Sequence, residues 1–269
     1  MEITLIYLFV IGCCIGSFVN VVIYRLPLNQ SIVYPNSICP KCNSRIKWFD
    51  NIPIISWLLL RGKCRACKNK IDFSYPSVEL FIGILFCLNL YSQPTLYSQQ
   101  PTSLIIFLGS IFSVILFTLA ILDFKYFWLP QILTSGGLVL GITTSLYIDL
   151  CNDFYQFNYV IYTLLASLLG FTFFNLLSLI GKKIYNKPVI GGGDAKLSAM
   201  IGSWLGVQGL FITIWFAFIS AGIFVILGLV LKKIKRNQKI PLGVFLAFSG
   251  LLVWYFGNQV FLKIIFFQI

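Results

Sequence analysis

Two aspartates, Asp123 and Asp194, are the residues of this chain whose type and position point most directly to chemistry. Asp123 closes the apolar run 103–122, and Asp194 lies between three glycines and the mostly apolar stretch 195–205. An ionised carboxylate costs about 2.5–3.5 kcal/mol at the centre of a membrane helix, and less towards its ends. Because the chain has only eight acidic residues, two of them in such settings indicate a functional pair. Paired carboxylates of this kind predict aspartyl protease chemistry.

The chain contains no histidine, which excludes Ser–His and Cys–His nucleophilic systems and zinc hydrolase sites built on histidine. A Ser–Lys pair stays possible in principle, because Lys196 is well placed near the start of a span, but no serine partner stands out. An acid pair requires none of these groups. Two carboxyl groups a few ångströms apart cannot both ionise. The charged one would deprotonate a water, and the protonated one would polarise the scissile carbonyl.

Three glycines, Gly191, Gly192 and Gly193, directly precede Asp194. Glycine permits positive φ angles and close backbone approach, so this loop could let an extended substrate strand lie beside the carboxylate. The structural alternative is that the glycines only allow tight helix packing, which is common in membranes. We expect the three glycines and Lys196 to form the loop that supports the active site.

Four cysteines form the second pattern that points to chemistry. They occur as Cys39-Pro40-Lys41-Cys42 and, after twenty-one intervening residues, as Cys64-Arg65-Ala66-Cys67. Two CxxC knuckles at this spacing predict a tetrahedral zinc site with four thiolate ligands. Two disulfides are the alternative, but the basic residues of this insert place it in the reducing cytoplasm, where disulfides are rare. Four thiolates leave no open coordination position, so we expect a structural zinc that folds an otherwise coreless insert.

The composition of the chain predicts its fold class. The chain is 58% hydrophobic and 10% charged, its mean hydropathy is +0.90, and its apolar runs of about 20 residues are long enough to cross a bilayer. Continuous runs exclude an outer-membrane barrel, whose strands alternate apolar and polar residues. We therefore predict an all-α polytopic membrane protein with one soluble insert. The eight predicted spans are 3–24, 77–92, 104–122, 129–148, 158–181, 194–206, 208–231 and 242–262.

Lysine and arginine residues orient these spans. Segment 25–76 holds nine of the twenty, and further clusters follow the fifth and seventh spans, whereas the loops after the second and fourth spans hold none. Alternate threading of eight spans places these clusters on one side, which the positive-inside rule makes the cytoplasm; only Lys263 falls outside. The third span then ends at Asp123, and the sixth begins at Asp194, at the same cytoplasmic edge. The net charge of +12 is thus explained by topology, and nucleic-acid binding is not predicted.

Two features near the insert each have two explanations. Segment 48–58 is too apolar for an ordinary loop and too short to span a membrane. It either lies against the membrane face, with Trp48 and Trp57 as interfacial anchors, or forms the hydrophobic core of the zinc module. Glu79 is predicted in the first turn of the second span, where the helix dipole favours an acid. Alternatively, it is a functional acid that faces the insert.

These motifs, taken in chain order, resemble those of the bacterial type IV prepilin peptidases. They are the opening stretch 16–27, the paired CxxC insert, the stretch 75–80, Asp123 with Leu129-Pro130 beyond it, and the stretch 191–196. The last of them matches the GxGD motif shared with archaeal preflagellin peptidases and presenilin, and the resemblance covers nearly the whole chain. Lys125 stands where many relatives carry a second acid, so Asp123 is the only candidate there. Pro241-Leu242-Gly243 stands where relatives often have Pro-Phe-Gly.

The resemblance implies an aspartic endopeptidase of the bacterial inner membrane. Family members cut the leader from type IV prepilins and type II secretion pseudopilins after a glycine at the cytoplasmic face. Many also methylate the new N-terminal amine with S-adenosylmethionine, an activity associated with the large zinc-bearing insert that this chain retains. We therefore expect a bifunctional enzyme with Asp123 and Asp194 as catalytic residues. No methyl-donor site is evident from the residues, and Glu79 and Gly83 are the candidates for it.

The predicted organisation has three parts: a first transmembrane helix at 1–24, a cytoplasmic zinc-binding, methyltransferase-associated insert at 25–76, and a transmembrane aspartyl peptidase core at 77–269. The expected partners are prepilin and pseudopilin substrates and the lipid bilayer. One alternative is a peptidase that lacks methyltransferase activity. Another is a proton-coupled transporter, which would be expected to show internal repeats with acids at corresponding depths. A non-catalytic membrane scaffold would need no acids at the cytoplasmic edge.

Overall fold

The chain folds into helices that confirm the predicted class. The computed structural model describes residues 2–34, 36–92, 94–151, 158–186, 191–233, 235 and 238–265, and these contain helices and turns but no β-strand. Seven helical elements among them are long and apolar enough to cross a membrane. The chain is therefore an all-α polytopic membrane protein. By packing, it divides into two compact units, Met1–Tyr91 and Ser92–Ile269.

The first unit consists of two membrane helices and the insert that connects them. Its helices are α1 (Glu2–Arg25), the short α2 within the insert (Ile55–Leu59) and α3 (Ser74–Leu88). Glycines bring α1 and α3 close together: a Cβ atom on Gly12 would lie 2.8 Å from the Cα atom of Gly83, and one on Gly16 would lie 2.6 Å from that of Glu79. Small residues four positions apart are a common means of close helix packing in membranes. Because α3 packs on α1, the second predicted span belongs to this unit.

The second unit holds the remaining membrane helices around an aromatic core. They are α4 (Thr102–Tyr126), α5 (Gln131–Cys151), α6 (Asn158–Tyr185), α7 (Gly192–Val230) and α8 (Leu242–Ile265). Phe112 of α4 stacks on Trp204 of α7 with ring centroids 5.0 Å apart, and Trp254 of α8 packs against both rings. The indole N–H of Trp204 donates to the carbonyl of Gly137 at 2.8 Å, so α5 is held to the same core by a satisfied buried donor.

The long element α7 is two arms that fold back on each other at Gly206. Gly206 has φ 68° and ψ −175°, which lie outside helical values. A Cβ atom on Gly170 of α6 would lie 2.9 Å from the Ser198 carbonyl oxygen and 3.1 Å from the Leu210 side chain. In a straight helix, residues twelve apart are separated by about 18 Å. Both can therefore contact Gly170 only if the chain reverses between them.

This reversal reconciles eight predicted spans with seven helical elements. The predicted spans 194–206 and 208–231 are the two arms of α7, and a positive-φ glycine occupies the turn because L side chains rarely adopt that conformation. The other six predicted spans each match one helix, with ends that differ by a few residues. A second non-helical glycine, Gly257 with φ 72°, interrupts α8.

Candidate active site

Several helix ends meet at one place in the second unit, and Leu129 lies at their centre. Its Cδ1 atom is 3.2 Å from the position that a Cβ atom would take on Gly193, and 3.1 Å from the corresponding position on Gly243. Gly193 is in the first turn of α7 and Gly243 in the first turn of α8. Gly243 in turn contacts Asp123 in the last turn of α4. One leucine side chain thus joins the segments that carry the two aspartates, which are about 70 residues apart in sequence.

Asp123 is buried, with 6% of its surface exposed. Its Oδ2 atom accepts a hydrogen bond from the backbone N–H of Val244 at 3.2 Å. The α4 helix ends just beyond it, because Phe127 adopts a left-handed conformation and its N–H donates to the Asp123 carbonyl at 2.9 Å. A left-handed residue after the last turn is a common helix stop. The aspartate is therefore held at a helix end, with its carboxylate against the start of α8.

Asp194 lies in the first turn of α7 and is also buried, with 9% of its surface exposed. Gly191 is the residue at which the helix begins, and its carbonyl accepts the Asp194 N–H at 3.1 Å. The first N–H groups of a helix have no partner within the helix, and a carboxylate close to them is favoured. The Gly191 backbone also interacts with the Asp194 carboxyl group.

The two buried carboxyl groups are close enough to interact electrostatically with each other. Two ionised carboxylates at short range repel strongly in a buried site, so such a pair retains one proton. A pair that shares one proton offers a base and an acid at the same time, which is what the addition of water to a peptide carbonyl requires. The arrangement can therefore carry out acid–base hydrolysis without a nucleophilic side chain or a metal ligand.

The three glycines before Asp194 differ in what surrounds them. A Cβ atom on Gly193 would lie 3.0 Å from the Leu129 Cβ atom, whereas one on Gly192 would meet nothing within 4 Å. The freedom of glycine to adopt positive φ is not used in this loop, because Gly191 has φ −72° and neither of the other two has a positive φ. Gly193 therefore does allow a close backbone approach, but the group that approaches it is the Leu129 side chain of the same chain and not a substrate strand.

Lys196 does not pair with an acid among the described residues. Its half-buried ammonium group donates to the side-chain oxygen of Gln131, at the start of α5, at 3.0 Å. Since Gln131 follows Leu129 and Pro130 directly, this bond is a second link between α5 and α7 near the aspartates. Sequence reasoning missed Gln131 altogether. It named Leu129 and Gly243 only as motif residues, because their contacts depend on the tertiary fold.

The four predicted metal ligands come together in the first unit. The Sγ atoms of Cys39, Cys42, Cys64 and Cys67 all lie within 4.8 Å of one another. The sulfurs of Cys39 and Cys67 are 3.9 Å apart, far longer than a disulfide bond of about 2.0 Å. Thiolates at the usual Zn–S distance of about 2.3 Å lie roughly 3.8 Å apart at the corners of a tetrahedron. The cluster therefore has the donor set and spacing of a four-thiolate metal site.

The two knuckles have the same backbone geometry. In each, the N–H of the first cysteine donates to a carbonyl five residues later, and a left-handed residue, Asn43 or Lys68, follows the second cysteine. Matching knuckles direct two thiols each toward a shared centre, as structural zinc sites require.

Hydrogen bonding and burial shift the pKa values of two of these cysteines in opposite directions. A hydrogen bond from the Ser44 hydroxyl lowers the pKa of Cys42 to about 6, whereas burial raises the pKa of Cys39 to about 11.

Arg65, within the second knuckle, donates two hydrogen bonds to Asp50 at 2.6 and 2.8 Å and holds the pKa of that carboxyl below its usual range. This ion pair ties the second knuckle to segment 48–58.

Glu79 contacts the insert and does not occupy a helix start. Because α3 begins at Ser74, Glu79 lies in its second turn, where the helix dipole has little effect, and the dipole explanation is wrong. Its Oε2 atom accepts the backbone N–H of Ile54 at 2.7 Å. Ile54 has φ 60° and ψ −53°, the strained centre of a γ-turn, which is unusual for a β-branched residue. The buried Glu79 carboxylate therefore anchors a strained turn of the insert.

The other residues singled out near the insert have structural surroundings. Gly83 lies in the α1–α3 contact, where a Cβ atom would be 2.7 Å from the Cys13 sulfur. Trp57 is half-buried against Phe73, with ring centroids 5.6 Å apart, whereas Trp48 is 81% exposed. The two tryptophans of segment 48–58 thus have different environments: one contributes to the packing of the insert, and the other lies on its surface.

Two family models match the chain. The model of the bacterial peptidase A24 N-terminal domain matches residues 10–93, which include the cysteine cluster. The model of the type IV leader peptidase family matches residues 110–226, which include both Asp123 and Asp194. No solved structure matches the chain.

Curated relatives agree with these matches, and each of the following is named a prepilin leader peptidase/N-methyltransferase. The protein from Myxococcus xanthus is 36% identical over 245 residues, which are 88% of this chain and 68% of the relative. The protein from Vibrio cholerae is 34% identical over 264 residues, 95% of this chain and 98% of the relative. The protein from Neisseria gonorrhoeae is 31% identical over 275 residues, 93% and 90% of the two chains. With this identity over nearly its full length, the chain belongs to the type IV leader peptidase family.

Proposed function

We propose that this chain is a membrane-embedded aspartic endopeptidase that removes the leader from type IV prepilins and type II secretion pseudopilins after a glycine. One observation carries the proposal: Asp123 and Asp194 are both buried, are close enough to interact, and lie on segments joined by Leu129. The names of the relatives support the substrate class, since each is called a prepilin leader peptidase.

The proposed chemistry follows from a pair of carboxyl groups that share one proton. The ionised carboxylate accepts a proton from a water molecule, whose oxygen then forms a bond with the scissile carbonyl carbon. The protonated partner donates a hydrogen bond to the carbonyl oxygen as negative charge develops there. The C–N bond then breaks, the new amine takes up a proton, and the released leader ends in a carboxylate. No covalent enzyme intermediate is needed.

The first unit is proposed to serve methylation of the new N-terminal amine. Relatives of the chain are named N-methyltransferases as well as peptidases, and the family model for this unit covers the cysteine cluster. S-adenosylmethionine would supply the methyl group, and zinc bound by Cys39, Cys42, Cys64 and Cys67 would hold the insert in shape. Glu79 is proposed to support this activity through the turn at Ile54, and Gly83 through close helix packing.

The active site and insert are proposed to face the cytoplasm at the bacterial inner membrane. The basic residues support this orientation: segment 25–76 holds nine of the twenty lysines and arginines, and such residues favour the cytoplasmic side of spans. The helices that carry the aspartates are long and apolar, which supports contact of these helices with a lipid bilayer. Substrates anchored by an apolar segment would then reach the aspartates from within the membrane.

Cleavage by the purified protein tests this proposal directly. The full chain in detergent would be incubated with a prepilin, with and without S-adenosylmethionine, and the products measured by mass spectrometry. We expect a leader that ends in glycine and a mature chain that gains one methyl group only when the methyl donor is present. A folded protein that leaves the prepilin intact would overturn the peptidase assignment, and cleavage without methylation would restrict the function to proteolysis.

A further inference from the structure

The start of α8 contacts Asp123 through a position that has no side chain. The N–H of Val244 donates to the Asp123 Oδ2 atom at 3.2 Å, and the preceding Gly243 backbone interacts with the same carboxyl group. A Cβ atom on Gly243 would lie 2.8 Å from Oδ2 and 3.1 Å from Cγ of Asp123. The first distance is shorter than Cβ atoms tolerate and the second is tight, so a side chain here would displace the carboxylate or the helix start.

The contact, and not backbone conformation, explains a glycine at this position. Gly243 lies in the first turn of α8 and has no positive φ, so any residue could adopt its backbone conformation. Glycine is less favourable than alanine in a helix by up to about 1 kcal/mol. The backbone conformation at position 243 therefore gives no reason to prefer glycine over alanine. A Cβ atom at Gly243 would also lie 3.1 Å from Leu129 Cδ1, so the obstruction does not come from the carboxylate alone.

The contact also matters for the position of the Asp123 carboxylate. The first N–H groups of a helix lack partners within the helix and can donate to a nearby carboxylate. The bond from the Val244 N–H to Oδ2 therefore holds the carboxylate in one orientation. A displacement of about 1 Å at a reacting group can lower the rate on the order of 10²-fold.

We propose that Gly243 is a positioning residue for the proposed proteolysis, because only a residue without a side chain lets the first turn of α8 hold the Asp123 carboxylate by the Val244 N–H. This inference rests on the proposed peptidase function for its catalytic consequence. The contact between Gly243 and Asp123 can nevertheless be tested separately by stability.

The test compares Gly243→Ala with Gly250→Ala, a substitution in the same helix. A Cβ atom on Gly250 would meet only the ends of the Leu116 and Ile201 side chains, at 3.3 Å or more. We expect Gly243→Ala to lower kcat for prepilin cleavage roughly 10- to 100-fold, with a smaller effect on KM. Gly250→Ala should leave both kcat and KM close to wild type.

A stability measurement makes the inference testable even without cleavage. Gly243→Ala would be introduced into the wild type and into an Asp123→Ala background, and Tm measured in detergent. We expect the alanine to lower Tm more in the wild type than in the Asp123→Ala background, where the carboxylate is absent and only the Leu129 contact remains. The same change in Tm in both backgrounds would overturn the proposed contact. An unchanged kcat in Gly243→Ala, with an active wild type, would overturn the role of Gly243 in positioning.

Discussion

The loop before Asp194 offers a pair of substitutions that separate two explanations of its glycines. Gly192 and Gly193 are adjacent in the first turn of α7, so replacing either with alanine changes helix propensity in a similar way. A Cβ atom on Gly193 would lie 3.0 Å from the Leu129 Cβ atom, whereas one on Gly192 has no neighbour within 4 Å. If the loop is built for internal packing, only Gly193→Ala should disturb the site.

The size of the expected effect follows from the atoms involved. An ordinary contact between such carbons begins at 3.4 Å, so Gly193→Ala requires a displacement of several tenths of an ångström. The Leu129 Cβ atom cannot rotate away, because its position is set by the backbone, and the following proline restricts that backbone further. The displacement therefore passes to Leu129 or to the segment that carries Asp194. A shift approaching 1 Å at a catalytic group lowers the rate by about 10- to 100-fold.

Initial rates of prepilin cleavage by purified variants in detergent would measure this difference. We expect Gly193→Ala to lose about 10- to 100-fold in kcat and Gly192→Ala to stay within roughly threefold of wild type. Equal, large losses in both variants would refute the packing explanation. That result would instead favour a loop whose glycines make room for the substrate backbone.

Three further predictions concern other parts of the chain. The purified protein should contain about one zinc per chain by elemental analysis. Cys64→Ser should lose the metal while Cys14→Ser, outside the cluster, keeps it; full metal content in Cys64→Ser would exclude the four-thiolate site. Gly206→Ala should lower the free energy of unfolding by about 1–2 kcal/mol, because the φ angle of Gly206 is positive. Gly222→Ala should leave the free energy of unfolding unchanged. Equal unfolding midpoints for the two variants would contradict the turn at Gly206. Glu79→Ala should reduce methylation more than Glu79→Gln, which keeps an acceptor for the Ile54 N–H, while cleavage persists; parallel loss of cleavage would contradict a role confined to the insert.

Apolar run length and ligand spacing made much of the fold predictable. The runs gave the helices to within a few residues, and the two CxxC knuckles gave the cysteine cluster, because a fixed spacing in sequence imposes a fixed local geometry. Alternate threading also predicts the end of the third span and the start of the sixth at one edge, and the structure brings the end of α4 and the start of α7 together around Leu129 and Gly243. The turn within α7 was expected from the two adjoining spans, although Gly206 as its residue was not.

The remaining features depend on which side chains meet in three dimensions. Leu129 joins the two aspartate-bearing segments, yet a leucine before a proline carries no chemistry of its own in sequence. The Val244 N–H is invisible to sequence reasoning, because every residue except proline has one. The helix-dipole explanation of Glu79 failed since α3 begins at Ser74, before the apolar run that defined the predicted span. The strained turn at Ile54, which Glu79 holds, had no counterpart in any residue pattern.

The central claim is that Asp123 and Asp194 act as one catalytic pair, and the rates of their asparagine variants test it most directly. Asp123→Asn, Asp194→Asn and the double variant would be assayed on a prepilin, with Asp149→Asn as the control. Asp149 is another buried aspartate of the second unit, whose carboxylate accepts the backbone N–H groups of Tyr159 and Val160 at the start of α6. Each single catalytic variant should slow cleavage by about 10²–10⁴-fold, the usual contribution of a general acid–base group.

The double variant should be no slower than the slower single variant, because residues that act as a unit are strongly non-additive. Asp149→Asn should cleave at close to the wild-type rate. Near-normal cleavage by either Asp123→Asn or Asp194→Asn, in protein that is folded and inserted, would contradict the shared-proton pair.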